Sequence, residues 1–168
     1  MNSASVRTSA RFARFAALTL SGLILAAGTQ PNRSLYAQGG AHITGAGISK
    51  VGRDTRKLTV QAQAPAGSAS ASGTVQFIHN SPAGLSRFRG TITCVSVNGG
   101  TAQISGLIEK GETATGALLD GKAYAITIST GSPQSFSLPT IGEPGAVGAC
   151  SGGRGETVPV TEDGFKIG

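Results

Sequence analysis

The stretch RGTITCVSVNGGTAQISGLIEKG, residues 89–111, most restricts what this chain can fold into. Apolar and polar residues alternate on both sides of a glycine pair, Gly99 and Gly100. A period of two places successive side chains on opposite faces of a strand. A glycine pair supplies the backbone freedom that a tight turn requires. The stretch therefore predicts a β-hairpin with one buried face.

The charges of this hairpin predict its register. A three-residue loop that ends at Gly100 opposes Arg89 to Glu109, whereas a two-residue loop opposes Arg89 to Lys110. Like charges directly opposite each other destabilise a sheet, so we predict the three-residue loop, with Gly100 in the left-handed conformation. The predicted pairs are Cys94 with Ile104, Ile92 with Gly106 and Gly90 with Ile108 on the inner face, and Val97 with Thr101, Thr93 with Ser105 and Arg89 with Glu109 on the outer face.

Other short alternating segments follow the same pattern, and no segment has the period of an amphipathic helix. The predicted strands are 43–51, 56–64, 73–80, 87–97, 101–109 and 122–130, with short strands around Val158 and Phe165. Residues 131–156, rich in Gly, Pro and Ser, are predicted as a long loop. Short strands at regular spacing are typical of an all-β, single-domain antiparallel meander that closes as a β-barrel, with a β-sandwich as the alternative.

The N-terminal segment has the layout of a secretory signal peptide. Arg7, Arg11 and Arg14 form a positive region without acids, and the apolar run 15–27 that follows is too short to span a bilayer. Small residues come next, as at a cleavage site. The alternative is an uncleaved N-terminal anchor.

Cleavage is expected after Gly28 or after Ala37, and we favour Ala37 because the strand pattern begins later. The predicted division is a signal peptide at 1–37 and a secreted all-β domain at 38–168, with no stable membrane anchor after cleavage. Four of the 14 Lys and Arg residues precede residue 38, which leaves ten bases against eight acids in the domain. A net charge of +2 does not indicate nucleic-acid binding.

The chain has two cysteines, Cys94 and Cys150. In an exported protein an even number of cysteines indicates a disulfide, and two cysteines allow only one pairing. On the chain-entropy model this bond stabilises the fold by about 4 kcal/mol. Two free buried thiols are the alternative, and no partner histidine is evident for a catalytic thiol.

The residues that could carry chemistry are few. His79 and Ser81 are close in sequence, but no acid nearby in sequence could orient the imidazole ring of a hydrolase. His42 and His79 do not have the spacing of a metal site. The acid pairs Glu109/Glu112 and Glu162/Asp163 are interpreted as solubilising turn residues, because the predicted domain at 38–168 has five aromatic residues, none of them tryptophan, and these provide few platforms for a carbohydrate. We predict neither enzymatic activity nor a cofactor.

Two glycine-rich stretches resemble nucleotide-binding motifs and fail on specific positions. The stretch GALLDGKA, residues 116–123, ends in Ala123 where a phosphate-binding loop needs a hydroxyl, and a strand rather than a helix follows. It is interpreted as a turn at Asp120 and Gly121. The stretch GAGISKVG, residues 45–52, has Lys50 where a dinucleotide fingerprint has its third glycine.

The runs FRGTITCVSVNGGTAQISGLI, residues 88–108, and GEPG, residues 142–145, resemble the post-COAP-type family of small secreted bacterial β-domains. The most specific part of the resemblance is the hairpin from Gly90 to Ile108. The chain departs from the family at 138–141, where Leu-Pro-Thr-Ile stands and an aspartate is expected before GEPG. The resemblance implies a β-barrel-like fold, bacterial export and no catalytic residues.

Three functions remain open. The first is a secreted, non-enzymatic domain with a structural or interaction role and an extracellular protein as partner. The second is a carrier of a small apolar ligand inside the barrel, whose contacts would be Phe77, Phe88, Tyr124 and Ile126. The third is a hydrolase inhibitor that acts through the 131–156 loop. A core filled by the four carrier residues favours the first, a cavity between them the second, and a protruding loop the third.

Overall fold

The computed structural model describes residues 40–168, which form one antiparallel sheet without helices in that range. The strands are β1 Ala41–Val51, β2 Asp54–Ala64, β3 Ser72–Ser81, β4 Gly84–Asn98, β5 Thr101–Glu112, β6 Ala123–Ser129, β7 Ser135–Ser137, β8 Thr140–Gly142, β9 Thr157–Pro159 and β10 Glu162–Ile167. The strand order is β10-β1-β2-β3-β4-β5-β6-β7-β9, and β8 pairs with β6. This meander curls strongly into a half-barrel. The prediction of an all-β antiparallel meander is confirmed.

Alternation along the strands gives the sheet one apolar face. In β2, Leu58, Val60 and Ala62 are buried, whereas Thr59 between them is half-buried and Gln61 is exposed. Buried side chains from nine of the ten strands form a single cluster on the concave side. Burial of this face is the main favourable term in folding of the sheet, and the curl lets one sheet enclose its own core.

The side chain of Gln134 links β10, at one end of the curled sheet, to the segment just before β7, near the other end. The amide of Gln134, just before β7, accepts a hydrogen bond from Phe165 N at 2.8 Å and donates one to Phe165 O at 3.3 Å. Phe165 lies in β10, and its ring packs edge-on against that of Phe136, with ring centres 6.1 Å apart. The Gln134 amide thus takes the place of a neighbouring strand at this seam.

The predicted long strands correspond to β1–β6, and the short strands around Val158 and Phe165 correspond to β9 and β10. The predicted loop 131–156 is wrong in part, because it contains β7 and β8. Each of these strands has three residues, which is too short to show a period of two. The predicted signal peptide, 1–37, and its cleavage sites lie outside the described residues.

The turn of the β4–β5 hairpin differs from the prediction. Asn98 opposes Thr101, so the loop has two residues, and the positive φ of 57° lies at Gly99 rather than Gly100. Positive φ at the first central position is the pattern of a type II′ turn, whose twist matches that of the strands. Next to the turn, the predicted pairs Cys94 with Ile104, Val97 with Thr101 and Thr93 with Ser105 are therefore wrong.

A register shift between Ile92 and Cys94 restores the predicted pairing further from the turn. Beyond this bulge Ile92 opposes Gly106 and Gly90 opposes Ile108, and these two predicted pairs are confirmed. The bulge at Thr93 lies beside the 69–71 segment, where Ala71 N donates to Thr93 O at 3.0 Å. The hairpin thus has the register of a two-residue loop next to its turn and the register of a three-residue loop between Gly90 and Ile92.

A second shift, between Arg89 and Gly90, makes Arg89 oppose Lys110, so the predicted opposition of Arg89 and Glu109 is wrong. Solvent screens these exposed like charges, and each has a carboxylate of its own. Arg89 Nε lies 4.0 Å from Glu109 Oε2, and Lys110 Nζ lies 2.6 Å from Asp120 Oδ2. The charge rule failed because exposed side chains can turn toward diagonal partners.

Candidate functional site

The middle of the concave face is filled with side chains. Phe77, Phe88, Tyr124 and Ile126 all belong to the core cluster, and each is at most 6% exposed. The ring centres of Phe77 and Phe88 are 5.7 Å apart, and those of Phe88 and Tyr124 are 5.4 Å apart. The rings are tilted against each other, and aromatic pairs at such distances stabilise beyond the area that they bury. The four predicted ligand contacts thus belong to one packed core cluster.

Tyr124 brings a hydroxyl group into this region, and that hydroxyl has a hydrogen-bond partner. Its hydroxyl donates to Thr91 O at 3.0 Å, and burial raises the pKa of the Tyr124 hydroxyl. Gly106 lies beside this bond. A Cβ at position 106 would overlap the carbonyl oxygen of Thr91 and would reach the Tyr124 hydroxyl at 3.0 Å. The glycine is required here by the close approach of the neighbouring strand.

One end of the concave face is polar. Ser49, Arg56, His79 and Ser86 are successive register partners on β1, β2, β3 and β4, and we call them the polar row. Arg56, His79 and Ser86 each share the inward face of their strand with a core residue two positions away, such as Leu58 in β2. Ser49 is 0% exposed and Arg56 is 9% exposed. A buried cation therefore lies directly beside the apolar core.

Asp54 joins two members of this row. Arg56 Nη2 lies 3.0 Å from Asp54 Oδ2, and His79 Nε2 lies 3.5 Å from the same oxygen. Three buried atoms of the row, Ser49 Oγ, Arg56 Nε and His79 Nε2, have no hydrogen-bond partner within residues 40–168. Most buried polar atoms in proteins have a partner, so three at one end of one sheet mark this end as unusual.

A cleft of about 210 Å³ opens next to the polar row, and we call it the mouth cleft. Its polar wall comes from β3, β4 and the start of the 113–122 turn, and its apolar wall comes mainly from the core and from the segments before β6 and around β8. The lining residues are Phe77, His79, Ser86, Arg87, Phe88, Thr113, Leu119, Leu138, Pro139 and Ile141. None of these ten side chains is acidic.

The polar groups of the mouth cleft can donate hydrogen bonds. Ser86 Oγ accepts a bond from Ala114 N at 2.9 Å, so its own hydroxyl hydrogen can point elsewhere. Arg87 alternates with Ser86 and Phe88, so its side chain lies on the convex face, where its guanidinium contacts Glu112 at 2.9 Å. Ser86 and His79 thus give the mouth cleft a polar wall opposite an apolar one.

A second cleft, of about 450 Å³, lies on the convex face of β3–β5. Its cations Arg87, Arg89 and Lys110 alternate with the acids Glu112 and Asp120. The hydrogen bond from Lys110, supported by one from Gly111 N, holds the pKa of the Asp120 carboxyl below its ordinary value. The cations and the acids of this larger cleft therefore neutralise each other.

Cys94 and Cys150 form a disulfide, with Cα atoms 5.3 Å apart. The bulge at Thr93 turns Cys94 to the convex face, where it opposes Ser105. Ser105 Oγ accepts from Cys150 N at 2.9 Å, and Thr127 Oγ1 accepts from Gly153 N at 3.1 Å. The 148–153 segment is thus fastened along the outside of β4–β6.

The structure separates the other candidate residues. Ser81 Oγ is used in the β3–β4 turn, where it donates to Gly84 O at 3.3 Å, and His42 pairs with Gln63 at the opposite end of the sheet. The suspected acid pairs are engaged in ion pairs, such as Glu112 with Arg87 and Glu162 with Lys50. In the rejected phosphate-loop stretch, Gly121 has a positive φ of 76° within the β5–β6 turn.

Sequence reasoning missed Asp54, Ser49 and Arg56. Asp54 supplies the acid beside His79 that was not visible in sequence, because the pairing of β2 with β3 brings together residues 25 positions apart. One feature of the sequence does point to Arg56. The inward stripe of Leu58, Val60, Ala62 and Ala64 also contains Arg56, and a cation in an apolar stripe is unusual.

Within residues 40–168, no three His, Cys, Asp or Glu side chains are grouped to hold a metal ion, and no helix is long and apolar enough to cross a membrane. Comparisons with protein-family models, with curated proteins and with solved structures each find no match. The resemblance to the post-COAP-type domains therefore stays a prediction.

Proposed function

We propose that this chain is exported and acts outside the cell as a non-enzymatic domain with an interaction role. The observation that carries the proposal is the contrast between the filled middle of the concave face and the cleft with a polar wall at its end. Export is supported by the pattern of the first 37 residues and is compatible with the disulfide between Cys94 and Cys150.

Contacts within the core favour this role over that of an interior carrier. A ligand between Phe88 and Tyr124 would have to separate rings whose centres are 5.4 Å apart. It would also disturb the hydroxyl of Tyr124, which is bonded to Thr91 O. Cores packed at crystal-like density resist such insertion.

The route of the 131–156 segment favours an interaction domain over a protease-type inhibitor. Two of its strands belong to the sheet, and the disulfide and the Ser105 and Thr127 hydroxyls hold it against the convex face. Its exposed tip, residues 143–149, contains a tight turn in which Ala146 N donates to Glu143 O at 3.0 Å. A loop that inserts into an active site needs a longer free extension.

The test starts with the protein recovered from its own host's medium without reducing agent. We expect native mass spectrometry to show a cleaved chain, two hydrogens lighter than the reduced mass, without a small apolar adduct. An adduct that disappears on denaturation would replace this proposal by the carrier.

A panel of ester, amide and glycoside substrates tests the absence of catalysis. We expect no turnover by the wild type above that of His79→Ala, with His42→Ala as the matched histidine control. Turnover that His79→Ala abolishes and His42→Ala keeps would overturn the non-enzymatic role.

A further inference from the structure

We infer that Asn98, at the tip of the β4–β5 hairpin, is a site of self-modification, where the side-chain amide is converted to a carboxylate without an enzyme. The inference goes beyond the proposed interaction role and does not rest on it. Asn98 is the last residue of β4, and Gly99 is the first residue of the two-residue turn. The fold thus places an Asn-Gly pair at an exposed tip.

The reaction joins atoms of these two adjacent residues. The backbone nitrogen of Gly99 loses its proton to hydroxide and attacks Cγ of Asn98, and the new C–N bond closes a five-membered succinimide. The bond from Cγ to Nδ2 breaks, and the nitrogen leaves as ammonia with a proton from water, which returns the hydroxide. Water then opens the ring. Opening at the former side-chain carbonyl gives aspartate at position 98, and opening at the backbone carbonyl gives isoaspartate.

The turn leaves the attacking nitrogen accessible. Asn98 opposes Thr101, so the nitrogen of Gly99 lies outside the pairing of the two strands. Among residues 40–168, no group accepts a hydrogen bond from Gly99 N. Asn98 and Gly99 are both exposed, and a Cβ built on Gly99 would meet no atom within 4 Å. Hydroxide therefore reaches this nitrogen from solvent.

Glycine after the asparagine favours ring closure. Gly99 has no side chain to shield its own nitrogen, and its backbone adopts conformations that other residues avoid. The next residue is also a glycine, Gly100, so the tip has little resistance to the small rotation that brings the nitrogen to Cγ.

Asn80 provides a comparison within the same chain. Its side chain is also exposed, but the residue that follows is Ser81, which belongs to β3 and opposes Gly84. The Ser81 side chain shields the backbone nitrogen, and its hydroxyl accepts a hydrogen bond from Ala83 N at 3.2 Å. Ring closure at Asn80 would have to disturb this strand end. The fold therefore protects the amide of Asn80 and leaves that of Asn98 open to reaction.

The modification changes charge and chain length at one point. A carboxylate at position 98 gives the predicted domain at 38–168 ten bases against nine acids, so its net charge falls from +2 to +1. Isoaspartate also adds one methylene to the main chain of the turn. Gly100 O accepts hydrogen bonds from Thr130 N at 2.8 Å and from Thr130 Oγ1 at 3.1 Å, which fasten the second turn residue to the neighbouring loop. The disturbance is therefore confined to the tip.

The test incubates the disulfide-bonded chain at pH 8.5 and follows the peptides that contain Asn98 and Asn80 by mass spectrometry. Loss of ammonia and gain of water together raise the mass of a modified peptide. An endoproteinase that cuts before aspartate distinguishes the two products, because it does not cut at isoaspartate. The same incubation in guanidinium chloride with reductant gives both rates in the unfolded chain.

We expect folding to slow the modification of Asn98 by less than fivefold and that of Asn80 by more than fivefold. Slowing of Asn98 by more than fivefold would overturn the inference, because the turn would then protect the amide. Slowing of Asn80 by less than fivefold would also overturn it, because the fold would then not select between the two sites.

A matched pair of variants assigns the product. Cation exchange should resolve a less basic form of the wild type that accumulates with time. Asn98→Gln should abolish this form, since glutamine would have to close a larger ring and reacts far more slowly, whereas Asn80→Gln should keep it. The opposite result would place the reaction at Asn80 and overturn the assignment.

NMR of the ¹⁵N-labelled chain tests the confinement to the tip. We expect the amide shifts that accompany modification to lie in the loops 97–102 and 129–131. Shifts that extend to Ile92 or Tyr124 would show that the tip is coupled to the core and would overturn the confinement.

Discussion

Two regions of the same concave face differ although they lie on the same strands. In the middle, Leu58, Phe77 and Phe88 are register partners across β2, β3 and β4 and belong to the core cluster. Two residues further along each strand, the partners are Arg56, His79 and Ser86. The backbone ladder is continuous through both regions, so the ladder alone does not decide where a site forms. The side chains in one row across the strands decide where a site forms.

The middle depends on close contacts between buried side chains and backbone. Tyr124 is 0% exposed, and Gly106 allows its hydroxyl to reach Thr91 O. The polar end keeps donors whose partners are incomplete and borders a cleft. A region of the first kind contributes stability, and a region of the second kind is available for recognition. The following changes test this division.

The largest effect is expected from Gly106→Ala in the middle. The new Cβ would overlap the Thr91 carbonyl oxygen, which belongs to the backbone and cannot move aside as a flexible side chain can. We expect the free energy of unfolding to fall by about 2–3 kcal/mol, measured by urea denaturation. Gly131→Ala is the control, since its Cβ meets only Ser129 Oγ at 3.5 Å. Equal stability of the two variants would contradict a tightly filled middle.

A smaller effect is expected from Tyr124→Phe. The change removes the hydrogen bond to Thr91 O, and we expect a loss of about 1 kcal/mol at pH 8. Burial raises the pKa of Tyr124 above its ordinary 10.0, so the unfolded chain loses this proton first. The contribution of Tyr124 is therefore intact below about pH 10 and is lost as the pH rises toward the folded pKa.

Urea denaturation at pH 8 and at pH 10.5 tests this dependence. The wild type should lose stability between these values relative to Tyr124→Phe, which cannot ionise at this position. An unchanged difference between the two proteins would mean that the hydroxyl ionises as readily in the folded chain as in the unfolded one.

The smallest effect is expected from His79→Ala in the polar row. The His79 side chain is 25% exposed, and its Nε2 atom has no hydrogen-bond partner within the described chain. We expect a change of less than about 1 kcal/mol in the free energy of unfolding. A loss as large as that of Gly106→Ala would place His79 among the stabilising residues and would remove the contrast between the two regions.

The sequence predicted most of the fold because alternation over seven or more residues survives in β1–β6. It predicted the inner pairs Ile92–Gly106 and Gly90–Ile108, since apolar residues and glycine share that stripe. It could not place the bulge at Thr93, which depends on the 69–71 segment pairing beside it. Contacts between segments distant in the chain leave no local pattern.

The candidate site was less predictable for the same reason. Arg56 and His79 were visible as residues, but their pairing with each other and with Asp54 requires the β2–β3 register. The mouth cleft also depends on Leu138 and Ile141, which lie in or before β8, a strand of three residues. Strands this short are defined by their partners rather than by their own sequence.

The Gln134 seam has a consequence for the behaviour of the protein in concentrated solution. A curled sheet that ends in a free strand exposes backbone groups with which another chain can pair, and such edges promote aggregation. Here the Gln134 amide forms hydrogen bonds with both the backbone N–H and the backbone C=O of Phe165, near the middle of β10. The side chain acts as an intramolecular cap, and edge-to-edge stacking of one half-barrel on the next would first have to displace it.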